Sequence, residues 1–385
     1  MIDKPTKAYF DNAATTFVKP KQVHDFMHEF YAANSVNIGR GNHILQGDGQ
    51  RIITETRKML LELFAANSEY TAVLTASATE ALNVILQGQY YKQGQTIYIS
   101  PFEHNAVYRT VKFLEKEKGI IVKELAVDKE TLEFSFDKIR RQFSDNKPTL
   151  VIVSHISNVC GNIAPIDEIG KLAKSSGAVF VVDAAQSAGL VDISIGSCYA
   201  DYIVFAGHKT LYGPFGCSGF ICKKSTKLKP LIYGGIGLDS ANETMPLDAP
   251  TRFEAGSYNI MAIAGLHAAL TWRKSVGAES IRKKEKENCN KLLNILSNAD
   301  GIEIIGNTKN SISIISCLFD EYSPDMIENI LSKQGIIVRS GLHCAPQAHK
   351  FLGTYPAGTV RFSVSYFTCG KDHATLKEVL NEGFS

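Results

Sequence analysis

The feature that most constrains this sequence is a regular alternation of short apolar runs with amphipathic stretches. The apolar runs have the length and composition of buried strands, and they span residues 71–76, 96–100, 149–154, 178–183, 201–206 and 219–223. The stretches between them, such as 79–89 and 106–118, carry apolar residues at intervals of three and four, which is typical of helices packed on one face. This alternation predicts an α/β fold in which helices cover a mostly parallel central sheet.

The alternation ends after about residue 260. A long helical region follows, and then a strand-like run over 311–318, a helix capped by Ser323 and a strand-like run over 359–365. Strands placed around helices in this way predict a smaller α+β domain at the C-terminal end of the chain.

We place the domain boundary at this change of pattern. The large domain is expected over 16–260 and the small domain over 261–385, joined by the N-terminal segment 1–15. Two domains also suit the length, because 385 residues exceed the usual size of one hydrophobic core.

Composition and charge exclude several classes of function. The formal net charge is +2 and the lysines and arginines are scattered, which argues against a surface for nucleic acid. No apolar run reaches the length of a membrane span and the N-terminus lacks the shape of a signal peptide, so we expect a cytoplasmic protein without a membrane partner. The eight cysteines form no CxxC pair and no metal-ligand spacing, which predicts reduced thiols and no metal site.

Two of the predicted strands end in residues that carry chemistry. The run 178–183 ends in Asp183, and the run 201–206 leads into His208 and Lys209. Carboxyl ends of neighbouring parallel strands are where open α/β sheets bind ligands. An acid and a lysine at this edge suit pyridoxal phosphate, because the lysine forms a Schiff base with the aldehyde and the acid keeps the pyridine nitrogen protonated. The alternative is a surface lysine, but it would leave Asp183 and His208 without a role.

The segment 75–80 closes a predicted strand and opens a helix. The N–H groups of Ala78 and Thr79, with the Thr79 hydroxyl, could hold a phosphate against the helix dipole. The alternative is an ordinary helix start in which Ser77 or Thr79 is the N-cap. The presence of Lys209 favours the phosphate site.

Beyond these single features, the chain resembles fold-type I pyridoxal-phosphate enzymes of the class V aminotransferase group, and cysteine desulfurases in particular. The resemblance rests on short segments in the family's order, each of which would be weak alone. They are 9–14 (YFDNAA), 78–80 (ATE), 103–105 (EHN), 157–161 (SNVCG), 183–186 (DAAQ), 207–209 (GHK), 252–256 (RFEAG) and 339–346 (RSGLHCAP). The resemblance implies a fold-type I architecture and a homodimer.

The resemblance also implies roles for residues around the cofactor. His104 would stack on the cofactor ring and move protons, with an ordinary loop histidine as the alternative. Gln186 would bind the phenolic oxygen, and Asn158 would lie near the same oxygen and near the substrate. On propensity alone both amides are turn residues. Ser257 of a partner subunit would reach the phosphate.

One position departs from the family pattern. Relatives commonly carry a serine or threonine two residues before the histidine of Gly-His-Lys, and this chain has Ala206 there. One phosphate contact is therefore missing or supplied elsewhere, and His208 is the nearest remaining donor.

Arg361 lies inside the apolar run 359–365, where an unpaired charge would be costly. Its partner is either a carboxylate of this protein or the α-carboxylate of an amino-acid substrate, which suits the two-pronged guanidinium. The resemblance supports the substrate role and places Asn158 and Arg339 in the same substrate site.

Cys344 differs from the other cysteines, most of which are interpreted as structural, Cys160 included. It follows the strand-like run 335–338 in a polar loop, where Arg339 and His343 could favour the reactive thiolate. We interpret Cys344 as a nucleophile, with an idle thiol as the alternative.

Together these features predict a cysteine desulfurase that converts L-cysteine to L-alanine and leaves a persulfide on Cys344. An unidentified acceptor protein would take the sulfur, and L-selenocysteine could follow the same route. The first alternative is a class V aminotransferase or a selenocysteine/cysteine lyase with the same cofactor, in which Cys344 is incidental. A non-catalytic sulfur carrier is a remote alternative, because it would not need Lys209, Asp183 and Arg361 together.

Overall fold

The computed structural model describes residues 6–36, 38, 44–237, 241–307 and 311–382. In these ranges the strands are β1 (Ala8–Tyr9), β2 (Tyr70–Thr75), β3 (Thr96–Ile99), β4 (Ile121–Glu124), β5 (Pro148–Ser154), β6 (Val179–Asp183), β7 (Tyr202–Phe205), β8 (Ser218–Lys223), β9 (Ile302–Ile305), β10 (Ile314–Phe319), β11 (Ile336–Ile337), β12 (Arg339–Gly341) and β13 (Thr359–Ser363).

The helices of the same ranges are α1 (Lys21–Asn34), α2 (Ile44–Leu63), α3 (Ala78–Gly88), α4 (Asn105–Lys118), α5 (Phe136–Asp145), α6 (Ile166–Ser175), α7 (Ile260–Val276), α8 (Ala278–Ser297), α9 (Pro324–Lys333), α10 (Pro346–Leu352) and α11 (Gly370–Glu382). A short 3₁₀ turn spans Thr251–Phe253. Across the described ranges, no helix combines the length and the apolar character that crossing a bilayer requires.

The central sheet confirms the predicted α/β fold. Its strands lie in the order β2-β8-β7-β6-β5-β3-β4. From β7 to β4 all strands run parallel, and β8 is antiparallel to both of its neighbours. The sequence pattern did not indicate β4. This edge strand contains Lys123 and Glu124 and buries none of its side chains, so it lacks the apolar run that marks a buried strand.

Helices cover both faces of this sheet. Side chains of β5 alternate between two cores, with Val151 and Val153 in one and Leu150 and Ile152 in the other. The first core includes side chains of α2, α5, α6 and α7, and the second includes those of α3 and α4. Because both faces are buried, the strand ends are left as the place where polar side chains can meet a ligand.

A smaller antiparallel sheet follows in the C-terminal part, in the order β12-β13-β10-β9. Apolar residues of α8, α9 and α11 pack on it, and Phe10 from the N-terminal segment lies in the same core. The N-terminal strand β1 pairs in parallel with β11. Ser323 caps α9 as predicted, since its hydroxyl accepts a hydrogen bond from the N–H of Met326 at 3.3 Å.

The domain boundaries stay a prediction. Helix α7 begins at Ile260, beside the predicted boundary, and it packs on α1 and α2 of the large part. Residues 1–5 and 383–385 of the predicted segments lie outside the described residues.

A buried hydrogen-bond network joins the two parts of the chain. Glu285 of α8 accepts hydrogen bonds from the hydroxyl of Tyr212 at 2.6 Å and from that of Ser313 at 3.0 Å. The Tyr212 oxygen also accepts one from the N–H of Tyr366 at 2.8 Å. Burial raises the pKa of Glu285, and the two hydroxyl donors oppose that shift. Tyr212 comes three residues after Lys209, so the network fixes the loop that follows this lysine.

We expect Tyr212→Phe to destabilise the fold by about 1–3 kcal/mol, because it leaves the buried Glu285 carboxylate with one donor fewer. Urea unfolding followed by circular dichroism measures the change. Tyr202→Phe is the matched control, since its part-buried hydroxyl bonds the Thr226 hydroxyl, at 2.6 Å, in place of a buried carboxylate. Equal losses in the two variants would show that the network adds nothing beyond an ordinary hydroxyl contact.

Candidate active site

A cavity of about 240 Å³ lies at the carboxyl ends of β5, β6 and β7, bounded by the first residues of α3 and α4 and by the loop around residue 344. It brings together almost all of the predicted site residues: Ala78, Thr79, His104, Asn158, Asp183, Gln186, His208, Lys209, Arg339, Cys344 and Arg361. Ser257 is the predicted site residue that does not line it.

Asp183 and Lys209 lie on the floor of this cavity. Asp183 ends β6, is buried, and accepts a hydrogen bond from the N–H of Ala185 at 2.9 Å. Burial raises the pKa of Asp183, and the nearby Lys209 opposes the shift. Burial lowers the pKa of Lys209 to about 8, with Asp183 acting in the opposite direction. Near neutral pH a larger fraction of this amine than of an ordinary lysine is therefore uncharged, which favours nucleophilic chemistry.

The turn that delivers Lys209 needs a glycine. A Cβ atom on Gly207 would lie 2.1 Å from the carbonyl oxygen of Cys217. The N–H of Gly207 donates to the hydroxyl of Ser218 at 3.3 Å. Because Gly207 has no side chain, the backbone that leaves β7 can pass close to the backbone just before β8.

His104 is the N-cap of α4. Its Nδ1 accepts a hydrogen bond from the N–H of Ala106 at 3.0 Å, so the neutral ring carries its proton on Nε2. Burial lowers the pKa of His104 to about 4, and the charges of Lys209 and Arg361 add to the effect. The ring is therefore uncharged at neutral pH. It can stack on a planar ligand and donate from Nε2, but Nε2 cannot accept a proton in this tautomer.

The segment that was predicted to bind phosphate also forms the ordinary helix N-cap that was its alternative interpretation. Ser77 is the N-cap of α3 and accepts a hydrogen bond from the N–H of Glu80 at 3.1 Å. The Glu80 carboxylate accepts one from the N–H of Ala76 at 2.9 Å. No acceptor for the N–H groups of Ala78 and Thr79 is found in the described part of the chain. The N-cap is therefore compatible with an anion site, because four N–H groups are free at a helix start and the cap satisfies one.

The position of the missing hydroxyl is occupied by the buried Ala206. The neighbouring ring of His208 stacks on Phe215 with a centroid distance of 4.5 Å. The His208 Nδ1 is buried and has no hydrogen-bond partner among the described residues. Burial lowers the pKa of His208 to about 3, so it offers a neutral N–H rather than a charge.

Ser257 lies on a different surface. It is exposed and lines a separate cavity of about 200 Å³ together with Gly256 and Glu80. Its contribution to a neighbouring subunit stays a prediction.

Arg361 has an internal partner that the sequence analysis did not identify. Its guanidinium donates from Nη2 to the Asp11 carboxylate at 2.8 Å and from Nη1 to the backbone oxygen of Asn158 at 2.9 Å. The Nε–H is buried and has no partner in the described ranges. Both interpretations of Arg361 therefore have support: an internal ion pair orients the side chain, and only two of the five N–H groups of the guanidinium are used in these two hydrogen bonds.

The loop that carries Cys344 is held in a fixed conformation. His343 and Cys344 have φ angles of 46° and 57°, which are unusual for residues with side chains. The side-chain amide of Asn158 donates to the His343 carbonyl at 2.6 Å, and the N–H of Asn105 donates to the Cys344 carbonyl at 2.6 Å. Cys344 itself is exposed.

Gln186 also uses its side-chain amide to bind the backbone, because this amide donates a hydrogen bond to the carbonyl of Ala13 at 2.9 Å.

The expectation that His343 supplies positive charge to Cys344 is wrong. His343 is buried, and its Nε2 forms a hydrogen bond of 3.0 Å with the Thr359 hydroxyl. Burial lowers the pKa of His343 to about 2, so the ring is neutral. Arg339, which lies in β12 just before this loop, remains as a cation that lines the cavity. Cys160 is buried, as expected of a structural cysteine.

Glu103 is a second residue whose role the sequence did not indicate. It is completely buried beside the cavity and accepts hydrogen bonds from the N–H of Ser154 at 2.7 Å and from its hydroxyl at 2.9 Å. Burial raises the pKa of Glu103 to about 7. Ser154 pairs with Asp183 across β5 and β6, so Glu103 fixes the strand end next to this acid. The only sequence signal was its place before His104.

Comparison with known proteins places this arrangement in context. The Aminotransferase class-V family profile matches residues 8–376. A probable cysteine desulfurase of Methanothermobacter thermautotrophicus is 32% identical over 97% of this chain and 94% of its own length. One of Pyrococcus abyssi is also 32% identical, over 97% and 93%. The apo structure of a cysteine desulfurase from Thermococcus onnurineus superposes with a TM-score of 0.89 at 30% identity, covering 97% of this chain and 94% of that one.

We expect the amine of Lys209 in the chain without cofactor to titrate near pH 8, and Asp183→Asn to lower that value further. The sign follows because the carboxylate stabilises the ammonium form and the amide does not. Competitive labelling with acetic anhydride, read by peptide mass spectrometry, gives the titration of this single lysine. Asp192→Asn, an exposed acid paired with Arg282, is the control. An ordinary lysine titration near pH 10.4 would contradict the burial argument.

Proposed function

The chain belongs to the class V aminotransferase family and, within it, to the cysteine desulfurases, and we propose that it removes sulfur from L-cysteine with Lys209, Arg361 and Cys344 acting on the substrate. One observation carries the proposal. A single cavity holds a lysine that interacts electrostatically with a buried aspartate, a buried arginine whose Nε has no partner among the described residues, and an exposed cysteine. Removing sulfur from cysteine requires a group that reacts with the cofactor, a cation that binds the carboxylate and a nucleophile that takes the sulfur, all within reach of one substrate molecule.

The residues of the cavity fit pyridoxal phosphate, on which the family depends. When bound, this cofactor supplies an aldehyde that reacts with amines and a ring that withdraws electrons from the substrate. Lys209 would hold the aldehyde carbon and Asp183 the protonated ring nitrogen. The free N–H groups of Ala78 and Thr79 at the start of α3, with the unpartnered Nδ1 of His208, would hold the phosphate.

Two further side chains would orient the cofactor. Gln186 lines the cavity with its amide held by the carbonyl of Ala13, and it would bind the phenolic oxygen of the cofactor. The neutral, flat ring of His104 lies on the cavity wall and would stack on the cofactor.

Lys209 is the better candidate for moving the α-proton of the substrate. Its lowered pKa of about 8 lets the free amine accept a proton and return it near neutral pH. His104 has its Nδ1 occupied by a backbone N–H and its proton on Nε2, so it serves as a donor. We therefore assign proton transfer to Lys209 and ring stacking to His104.

Arg361 would bind the α-carboxylate of cysteine. Asp11 and the Asn158 backbone hold two of its nitrogens, which fixes the guanidinium plane before the substrate arrives. The Nε–H group has no hydrogen-bond acceptor among the described residues. Arg339 lies opposite Arg361 in the β12–β13 ladder and adds a second positive charge for the same carboxylate.

Cys344 would take the sulfur. Its thiolate attacks the sulfur of bound cysteine, and the new S–S bond forms while the C–S bond breaks. The β-carbon keeps the electron pair and gains a proton, so L-alanine leaves and the persulfide stays on Cys344. The bonded carbonyls of His343 and Cys344 support this role, because they restrain the backbone that presents Cys344 to the cavity.

The same proposal includes a homodimer in which Ser257 completes the neighbouring phosphate site, an acceptor protein for the sulfur, and activity on L-selenocysteine. A cytoplasmic location without nucleic-acid or membrane partners stays a prediction. The aminotransferase, the lyase and the non-catalytic carrier remain as outcomes of the experiments below.

We expect Cys344→Ser to abolish sulfide release from L-cysteine and the persulfide seen by mass spectrometry, because a serine hydroxyl is a much weaker nucleophile at neutral pH. The spectral change on adding cysteine should persist, since Lys209, Asp183 and Arg361 are intact. The matched control is Cys369→Ser, which alters the other exposed cysteine of the described chain. Wild-type desulfuration by Cys344→Ser would make this thiol incidental and favour the lyase or aminotransferase. A protein that binds no pyridoxal phosphate would favour the sulfur carrier.

We expect Arg361→Lys to raise the KM for cysteine about 10- to 100-fold, because a point charge cannot replace the hydrogen bonds of the guanidinium to a carboxylate. Binding of pyridoxal phosphate, followed by absorbance, should change little. The opposite pattern, an unchanged KM with a loss of thermal stability, would leave Arg361 as the structural partner of Asp11 alone.

A further inference from the structure

An open groove of about 490 Å³ runs from Cys344 along the surface between α3 and α4. It adjoins the substrate cavity, and Thr79, His104, Ala106 and Cys344 line both. We propose that this groove docks a thiol-bearing segment of the sulfur-acceptor protein, and that an acidic residue of this segment pairs with Arg109. The inference rests on the proposed function, since it needs a persulfide on Cys344.

The groove is built by two helix faces. Residues four apart on each helix face the same side, and those lining the groove are Thr79, Asn83 and Gln87 of α3 and Asn105, Arg109 and Phe113 of α4. The thiol of Cys344 lies at one end of this pair of rows, so a segment laid along them would bring its own thiol to Cys344.

The floor of the groove is polar and held in place. The Asn83 side-chain oxygen accepts hydrogen bonds from the amide of Gln87 at 2.6 Å and from the hydroxyl of Thr110 at 3.4 Å, and its amide donates to the Thr79 carbonyl at 2.9 Å. Side chains already ordered in the free protein lose little entropy when a partner binds. A row of fixed carboxamides also suits the N–H and C=O groups of an extended peptide.

The charge and the apolar surface of the groove define the partner. Arg109 is exposed, and no carboxylate forms an ion pair with it in the described ranges, whereas its neighbour Lys112 already pairs with Glu115 at 2.6 Å. Phe113, one turn further, exposes 48% of its surface. A segment with an acidic residue and an apolar residue near its cysteine would satisfy both.

The restrained backbone of Cys344 favours an acceptor that comes to it. The loop cannot move outward without breaking the hydrogen bonds of Asn105 and Asn158 to its carbonyl groups. In the transfer, the acceptor thiolate attacks the outer sulfur of the Cys344 persulfide. A new S–S bond forms on the acceptor, the S–S bond on the enzyme breaks, and the electron pair returns to Cys344 as thiolate. No oxidant or reductant is needed.

The test uses persulfide-loaded holoenzyme and two synthetic peptides. Each has eleven residues with one cysteine and one leucine, and the cysteine is flanked by aspartates in one peptide and by lysines in the other. Sulfur transfer to each peptide is followed by mass spectrometry after alkylation. We expect the aspartate peptide to react about two- to five-fold faster at low salt, the range of one exposed ion pair, and the advantage to shrink at high salt.

Two variants locate the effect. Arg109→Glu should reverse the preference between the peptides, and Arg141→Glu should keep it, because Arg141 is an exposed arginine on α5, which packs on the opposite face of the sheet. Phe113→Ser should slow both peptides.

Three results would overturn the inference. Equal rates for the two peptides in the wild type, or an unchanged preference in Arg109→Glu, would show that the groove does not select an acceptor segment by its charge. A higher KM for free cysteine in Arg109→Glu would show that the groove admits the substrate instead of an acceptor. Persulfide on Cys344 is quantified before every transfer, so a failure to load it counts against the proposed function and not against the groove alone.

Discussion

The electrostatic coupling of Asp183 and Lys209 at the ends of two neighbouring strands is the constraint around which the site is organised. Each group is costly to bury, and burial moves their pKa values in opposite directions while each opposes the shift of the other. The rigid parallel sheet keeps them together, because β6 and β7 are joined in register and buried on both faces. The other groups of the cavity approach these two residues from loops, from helix starts and, for Arg339 and Arg361, from strands of the smaller sheet.

The link between Arg361 and Cys344 is the second organising element. The guanidinium donates to the backbone of Asn158, and the side chain of Asn158 donates to the backbone beside Cys344. The residue that would bind the substrate carboxylate and the residue that would take its sulfur are thus joined through one asparagine. A displacement at either end would change the distance that the sulfur has to cross.

The sequence was sufficient for features that depend on local patterns. Asp183 and Lys209 follow apolar runs, Ser323 precedes an amphipathic helix, and the buried strands repeat the same composition, so each could be recognised from a few adjacent residues. Features set by contacts distant in sequence could not be recognised in this way. The partner of Arg361 is Asp11, 350 positions away. The neutral state of His343 depends on burial by the assembled fold, which a polar sequence context does not indicate.

The pairing of Asp11 with Arg361 also bears on how the protein is made. Residues 8–9 form a strand with 336–337, and Asp11 forms a bridge with Ser363, so these pairings of residues 8–11 cannot form until the chain has been synthesised beyond residues 336 and 363. Contacts of such long range form slowly, because a large loop must close before they yield any stabilisation. On the ribosome, the central sheet can assemble while the N-terminal segment is still unattached. The ion pair of Asp11 with Arg361 therefore joins a residue made early in synthesis to one made 350 positions later, so the cavity around Arg361 cannot be complete before both ends of this span are present.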